Sequence, residues 1–120
     1  MFAAGYGHID IAELLIKHGA DVNATGNDGW TALIFTARYG HADAAELLIN
    51  HGADVNAKTQ KGDTALIVAA RNAHIDAAAT LLKHGADVNA WNNDGETALI
   101  SATSKRYTEI IKLLHSYGAK

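Results

Sequence analysis

The sequence predicts an all-α protein, a curved solenoid of stacked helix pairs, and three observations lead there. The string HGADVNA occurs at His18–Ala24, His51–Ala57 and His84–Ala90, each copy 33 positions after the one before. A short apolar run headed by Thr recurs at the same interval, at Thr31, Thr64 and Thr97. Between these landmarks the apolar residues fall at helical spacing. A repeat of this length is one supersecondary unit that cannot hide its apolar face alone, so neighbouring units must stack to bury a continuous core.

Local chemistry justifies each element. Thr31, Thr64 and Thr97 are suited to cap helix N-termini, their hydroxyls accepting from otherwise orphaned backbone N–H groups. The runs that follow, such as ALIVAAR at 65–71, are apolar and rich in small residues and predict the first helix of each unit. A break near Gly40 or Ala73 leads into a second helix. Asp10, Asp43, Asp76 and Glu109 fall in its first turn, where a carboxylate complements the helix dipole. Ala44, Leu47 and Leu48 stand at i, i+3 and i+4 and predict one buried stripe. Gly19, Gly52, Gly85 and Gly118 close the second helix, as a left-handed residue just past a helix end does. A loop containing Gly and Asn follows. The first helices carry Thr36–Ala37, Ala69–Ala70 and Ala102–Thr103, whereas the second carry Leu and Ile. Slim inner helices approach one another more closely than bulky outer ones, so the stack curves and its inner face is concave. The period runs through all 120 residues without insertion. One domain is expected, with units at about 1–25, 26–58, 59–91 and 92–120.

Composition excludes several classes. Hydrophobic residues at 48% supply a core, and charged residues at 19% are too few for wholesale disorder. A formal charge of −3 and the lack of a basic stripe argue against nucleic-acid binding. Cys is absent, which excludes a disulfide framework and a thiolate metal site and suits a reducing, intracellular compartment such as the cytoplasm. No apolar run approaches the roughly 18 residues of a membrane span. The opening MFAAGYGHID lacks the basic-then-apolar layout of a signal peptide.

The order G-x-T-A-L, a small-residue helix, GH, LL and then GADVNA resembles the ankyrin repeat, and the resemblance covers essentially the whole chain. It implies antiparallel helix pairs with loops projecting as β-hairpin-like fingers at right angles to the helices. It also implies protein–protein recognition on the concave face and finger tips. Three departures stand out. The family's Thr-Pro-Leu-His is Thr-Ala-Leu-Ile here, at 31–34, 64–67 and 97–100, and the chain has no Pro. The family's His ties neighbouring loops by hydrogen bonds, so apolar packing by Ile34, Ile67 and Ile100 is expected to do more of that work. The chain also opens inside its first unit, with Met1–Ala4 matching mid-helix, and no polar N-terminal capping unit is evident. A fragment of a longer array explains both; self-association through the open end around Phe2 and Ile11 is the alternative.

Candidate chemistry dissolves into the repeat. Of seven His, six are periodic: His8, His41 and His74 share one position, and His18, His51 and His84 another. Partners within a unit lie ten apart, not the i, i+4 of a helical zinc site, so they read as scaffold flanking the second helix. His115 stands where other units have Ile or Leu and is expected to be partly exposed in a frayed terminal helix. Asp21, Asp54 and Asp87 lack calcium-loop spacing and are expected to bond with Asn23, Asn56 and Asn89 within the loops. Ser101, Ser104 and Ser116 have no nucleophile context. No catalytic residue, metal or cofactor is expected.

Positions where the units disagree while their surroundings match mark the candidate binding face. At the loop tips these are Asn27, Asp28, Trp30, Gln60, Lys61, Asp63, Asn93, Asp94 and Glu96. At the inner-helix ends they are Tyr6, Arg38, Tyr39, Arg71, Asn72, Ser104 and Lys105, and after each GADVNA come Thr25, Lys58 and Trp91. Trp, Tyr and Arg are enriched at binding hot spots, so Trp30, Arg38, Tyr39, Arg71 and Trp91 are the expected central anchors. Cations on the inner helices (Arg38, Arg71, Lys105) and acids on the fingers (Asp28, Asp63, Asp94, Glu96) predict a protein partner. That partner would offer acidic or carbonyl groups to the groove and basic or apolar groups to the tips. The expected function is a non-catalytic, monomeric protein-interaction module. The alternatives are an engineered scaffold without a natural partner and a self-associating module using the N-terminal end. Differences at interior positions (Phe35, Val68, Ser101; Ile9, Ala42) argue against a levelled consensus design.

Overall fold

Three threonines start three helices in the computed structural model, which describes residues 22–26 and 28–120. The hydroxyls of Thr31, Thr64 and Thr97 accept from the N–H groups of Ile34, Ile67 and Ile100 at 3.2, 3.2 and 3.1 Å. The helices of the described residues are α1 (Ala32–Tyr39), α2 (Ala42–Asn50), α3 (Ala65–Arg71), α4 (Ile75–Lys83), α5 (Ala98–Ser104) and α6 (Thr108–Ser116). Asp43, Asp76 and Glu109 sit in the first turns of α2, α4 and α6, as dipole complementarity requires. His41 and His74 precede α2 and α4, and His51 and His84 follow them. Met1–Ala4, Phe2, Tyr6, His8, Asp10, Ile11, His18, Gly19, Asp21 and Asn27 lie outside the described residues.

Packing arranges these helices in two rows. In the inner row α1 packs on α3 and α3 on α5; in the outer row α2 packs on α4 and α4 on α6; each inner helix also packs on its own outer partner. The small side chains permit this: Ala37, Ala69, Ala70, Ala98 and Ala102 are fully buried in the inner row. Contact is more extensive along the inner row than along the outer one, which draws the inner side in as the small-residue pattern predicts. Leu33, Leu48, Leu66, Leu81 and Leu114 fill the space between the rows. Of the expected stripe on α2, Ala44 and Leu48 are buried and Leu47 is half-buried. Ile34 and Ile67 are each 1% exposed, covered by the following pair, whereas Ile100 in the last pair is 49% exposed.

Two turns set the repeat geometry. Outer helices end in a left-handed glycine: the Gly85 N–H bonds to the Leu82 carbonyl at 3.1 Å and the Ala86 N–H to the Leu81 carbonyl at 3.0 Å. The same closure at Gly118 lets α6 run to Ser116, and His115 is exposed on its last turn. The turn between inner and outer helices also needs a positive φ, and the chain meets it unevenly. Gly40, Ala73 and Arg106 occupy this one position with φ of 76°, 63° and 60°. Gly40 is additionally pressed by its neighbour, since a Cβ there would stand 2.5 Å from Nδ1 of His74.

A left-handed conformation costs a non-glycine residue about 1–2 kcal/mol, partly offset by the greater flexibility of glycine in the unfolded chain. Ala73→Gly is therefore expected to stabilise the protein by about 0.5–1 kcal/mol in urea unfolding. Gly40→Ala is expected to destabilise it by more than about 1 kcal/mol, having both the strain and the His74 contact to accommodate. A neutral or destabilising Ala73→Gly would contradict this account of the turn.

Candidate functional site

The loops carry the candidate site, and their order comes from side chains that bond to backbone. Asp54 and Asp87 accept from the N–H groups of Asn56 and Asn89 at 2.9 and 3.0 Å, the expected pairing within each loop. The Asn side chains reach further. Asn56 Oδ1 accepts from the Asp87 N–H at 2.7 Å while its Nδ2 donates to the Gly85 carbonyl at 3.3 Å. Asn23 does the same to Asp54 and Gly52 at 2.6 and 3.0 Å, and Asn89 to Lys120 and Gly118 at 3.1 and 3.4 Å. One amide thus satisfies a donor and an acceptor of the next unit, as a strand neighbour does in a sheet.

The fingers are narrow turns, two of them closed by one antiparallel bridge each, Lys58 to Thr64 and Trp91 to Thr97. The Thr59 hydroxyl accepts from the N–H groups of Lys61 and Asp63, and Asn92 Oδ1 from those of Asp94 and Glu96. Successive fingers are joined through backbone: the Gln60 N–H donates to the Asp28 carbonyl at 2.8 Å and the Asn93 N–H to the Lys61 carbonyl at 2.9 Å. Apolar packing at the position of the family's His is thus accompanied by hydrogen bonds between loops. Ile34 and Ile67 do pack, but hydrogen bonds still tie the loops, from backbone and Asn.

Charged residues expected to face a partner are instead drawn together. Arg71 grips Asp63 with both nitrogens, Nη2 to Oδ1 at 2.9 Å and Nη1 to Oδ2 at 3.3 Å. Its Nη2 also lies 3.6 Å from Glu96 Oε1. Asn92 Nδ2 donates to Asp63 Oδ1 at 2.9 Å and to Glu96 Oε1 at 3.1 Å, linking two fingers. Asp63, expected at a tip, is only 5% exposed; its carboxylate is held where a buried charge must be, between a guanidinium and an amide. The 29-residue link from Asn92 crosses between units, and the eight-residue spacing of Asp63 and Arg71 matches no helical or strand period, so neither contact shows in the sequence pattern.

Other candidates stand open. Trp91 is 64% exposed, with its backbone carbonyl accepting from Lys58 Nζ at 3.2 Å. Tyr39 is 43% exposed and carries the Arg38 guanidinium 5.6 Å from its ring centre. Arg38 is exposed and forms no ion pair among the described residues. Trp30 is half-buried rather than solvent-facing, packed against the core with its ring 5.0 Å from Phe35. Asp28, Lys61 and Asp94 are exposed on the fingers, and Asn72 and Lys105 at the inner-helix ends, with Asn72 Nδ2 donating to the Val68 carbonyl. Phe35, 42% exposed, stands open beside these candidates and was not among them, although its disagreement with Val68 and Ser101 is visible in the sequence. Among the described residues no cluster of three or more His, Asp or Glu is placed to hold a metal ion. No helix among them is long and apolar enough to cross a membrane.

Removing Arg71 leaves a nearly buried carboxylate without its cation, so Arg71→Ala is expected to cost about 2 kcal/mol of unfolding free energy. The double variant Arg71→Ala, Asp63→Asn should cost less than the sum of the singles in a double-mutant cycle. Strict additivity would show that the pair is not coupled.

A comparison with family models bears on the whole chain. The model described as "Ankyrin repeats (3 copies)" matches residues 1–59 and 56–120. A search of curated proteins gave no match. With the helix pairs, the left-handed glycine closures and the bonded fingers all recurring at 33 residues, the chain belongs to the ankyrin repeat family.

Proposed function

We propose that this chain is a non-catalytic recognition module that binds a protein partner across its concave inner-helix face and finger tips. Ankyrin repeats serve generally as protein–protein interaction modules, which makes the class of function the family's. The observation that carries the reading for this chain is the exposure of Trp91 and Tyr39, at 64% and 43%, beside a scaffold whose loops are bonded to one another. Large aromatics on a fixed backbone lose little freedom on docking, and truncating one such anchor can cost about 2 kcal/mol of binding.

The network of Asp63, Arg71, Asn92 and Glu96 divides the candidate residues by task. Those residues support the fingers. Trp30, Arg38, Tyr39 and Trp91 form the contact set, with Lys58, Lys61, Asn72 and Lys105 around them and Asp28 and Asp94 at the tips. Neutralisation of Arg71 from within leaves Arg38, Lys105 and Arg106 as the exposed cations of the inner-helix ends among the described residues. A monomer is part of the same proposal, with a dimer through the N-terminal end as its alternative, and an intracellular setting goes with it.

Affinity capture read by mass spectrometry tests the proposal with three baits. They are the parent chain, a concave-face variant (Arg38→Ala, Tyr39→Ala, Trp91→Ala) and an outer-face variant (Asp76→Ala, Lys112→Ala), all matched for melting. A partner held by the parent and outer-face baits, and reduced at least about tenfold on the concave-face bait, is the expected result. Equal recovery on all three would place the contact elsewhere.

A further inference from the structure

Two neighbouring units treat the same arginine in opposite ways. Arg38 and Arg71 are equivalent in the repeat, as are Trp30 and Asp63, Phe35 and Val68, and Tyr39 and Asn72. In the second of these units Asp63 takes both nitrogens of Arg71. In the first, Trp30 stands where that carboxylate would be, so its own finger offers the guanidinium of Arg38 no acid at that position. Asp28, the acid on the same finger, accepts from the Trp30 N–H through Oδ1, and no ion pair to Arg38 forms among the described residues. What Arg38 has instead is the ring of Tyr39 at 5.6 Å.

The surroundings have changed in concert. Val68 is 1% exposed, but its counterpart Phe35 is 42% exposed and touches Trp30. Phe35 and Tyr39 lie at i and i+4, on one face of α1. A guanidinium with no ion pair among the described residues therefore lies against the Tyr39 ring, on the helix that also presents Phe35, itself packed on Trp30. Such rings exclude water when covered, and exclusion of water strengthens a bidentate guanidinium–carboxylate pair.

We propose that Trp30, Phe35, Arg38 and Tyr39 form the specificity-determining part of the binding face. The patch takes a protein segment presenting a carboxylate beside an apolar side chain. The partner's carboxylate does on Arg38 what Asp63 does on Arg71, and its apolar neighbour covers Phe35 and Tyr39. This rests on the protein-recognition function proposed above. A single-stranded RNA could also use an arginine among aromatics, but the net charge of −3 and the exposed Asp28 and Asp94 on the fingers oppose a polyanion.

A phage-displayed library of short random peptides, selected on the parent chain, tests it. Enriched sequences are expected to carry Asp or Glu within a few residues of Leu, Ile, Phe or Trp. A synthetic copy of the leading sequence should lose about tenfold or more in affinity for Arg38→Gln. Changing the peptide's acid to its amide should cost a similar factor, with little added loss when both changes are made. Trp30→Asp supplies the carboxylate from within, as Asp63 does, and should abolish the acidic preference; melting curves check that each variant folds, and Arg38→Gln alone decides if Trp30→Asp does not. Enrichment without acidic residues, or indifference to Arg38→Gln, overturns the inference. Peptides lost on Trp91→Ala but kept by Arg38→Gln would overturn it while leaving protein recognition standing. No selected peptide at all would count against both, and tighter binding of an oligouridine than of any peptide would replace the partner class.

Discussion

Helices of seven to nine residues are too short to persist alone in water, and here each is ordered by what it packs against. No pair can bury its own apolar stripe, so the fold depends on contact between successive units. That single requirement accounts for the Ala-rich inner row, which lets backbones approach, and for the burial of Ile34 and Ile67 beneath the following pair. It accounts as well for the Asn rungs. Wherever units are held 33 residues apart, a loop side chain of the right length finds the same two backbone groups in the next unit. Loops that carry their own bonds to neighbours are then available as a platform rather than as floppy connectors.

Recognition follows from what the stacking leaves unconstrained. Side chains at the inner-helix ends and finger tips are not needed to pack, so they can differ between units. In one part of the face this freedom has been used for internal bonding, with Arg71, Asp63, Asn92 and Glu96 satisfying one another. In another it leaves Arg38, Tyr39 and Phe35 exposed. On the proposed function, the self-satisfied half holds the fingers in place and the unsatisfied half is the one that would gain from a partner.

Much of this was readable from the residues, and the exceptions share a cause. The threonine caps, the closing glycines and the inner row of small residues are local features, and the repeat multiplies each signal until chance is a poor explanation. The left-handed turn was half-readable: Gly40 betrays it, and the equivalence of Ala73 and Arg106 to Gly40 says that they share its φ. The Asn rungs and the Asn92 link to Asp63 were not readable, because their partners lie 29 or 31 residues away and depend on how closely fingers approach; the Arg71–Asp63 pair, eight apart in one unit, depends on how the finger folds back toward its own helix. Trp30 was misplaced for the same reason. Its type suggested an exposed anchor, but the adjoining core takes up much of its ring.

The rigid platform is the central claim, and amide hydrogen exchange followed by NMR tests it most directly. Asp54 and Asp87, whose N–H groups end the Asn rungs, are exposed residues in loops, and Gln60 and Asn93 bridge successive fingers. Their amides are expected to exchange slowly, at rates that fall in step with those of helices α3 and α4 as stability is raised, because opening a rung requires neighbouring units to separate. Exchange of these four amides at the rate of free loops, with the helices still protected, would mean that the fingers move independently and that no preformed face exists.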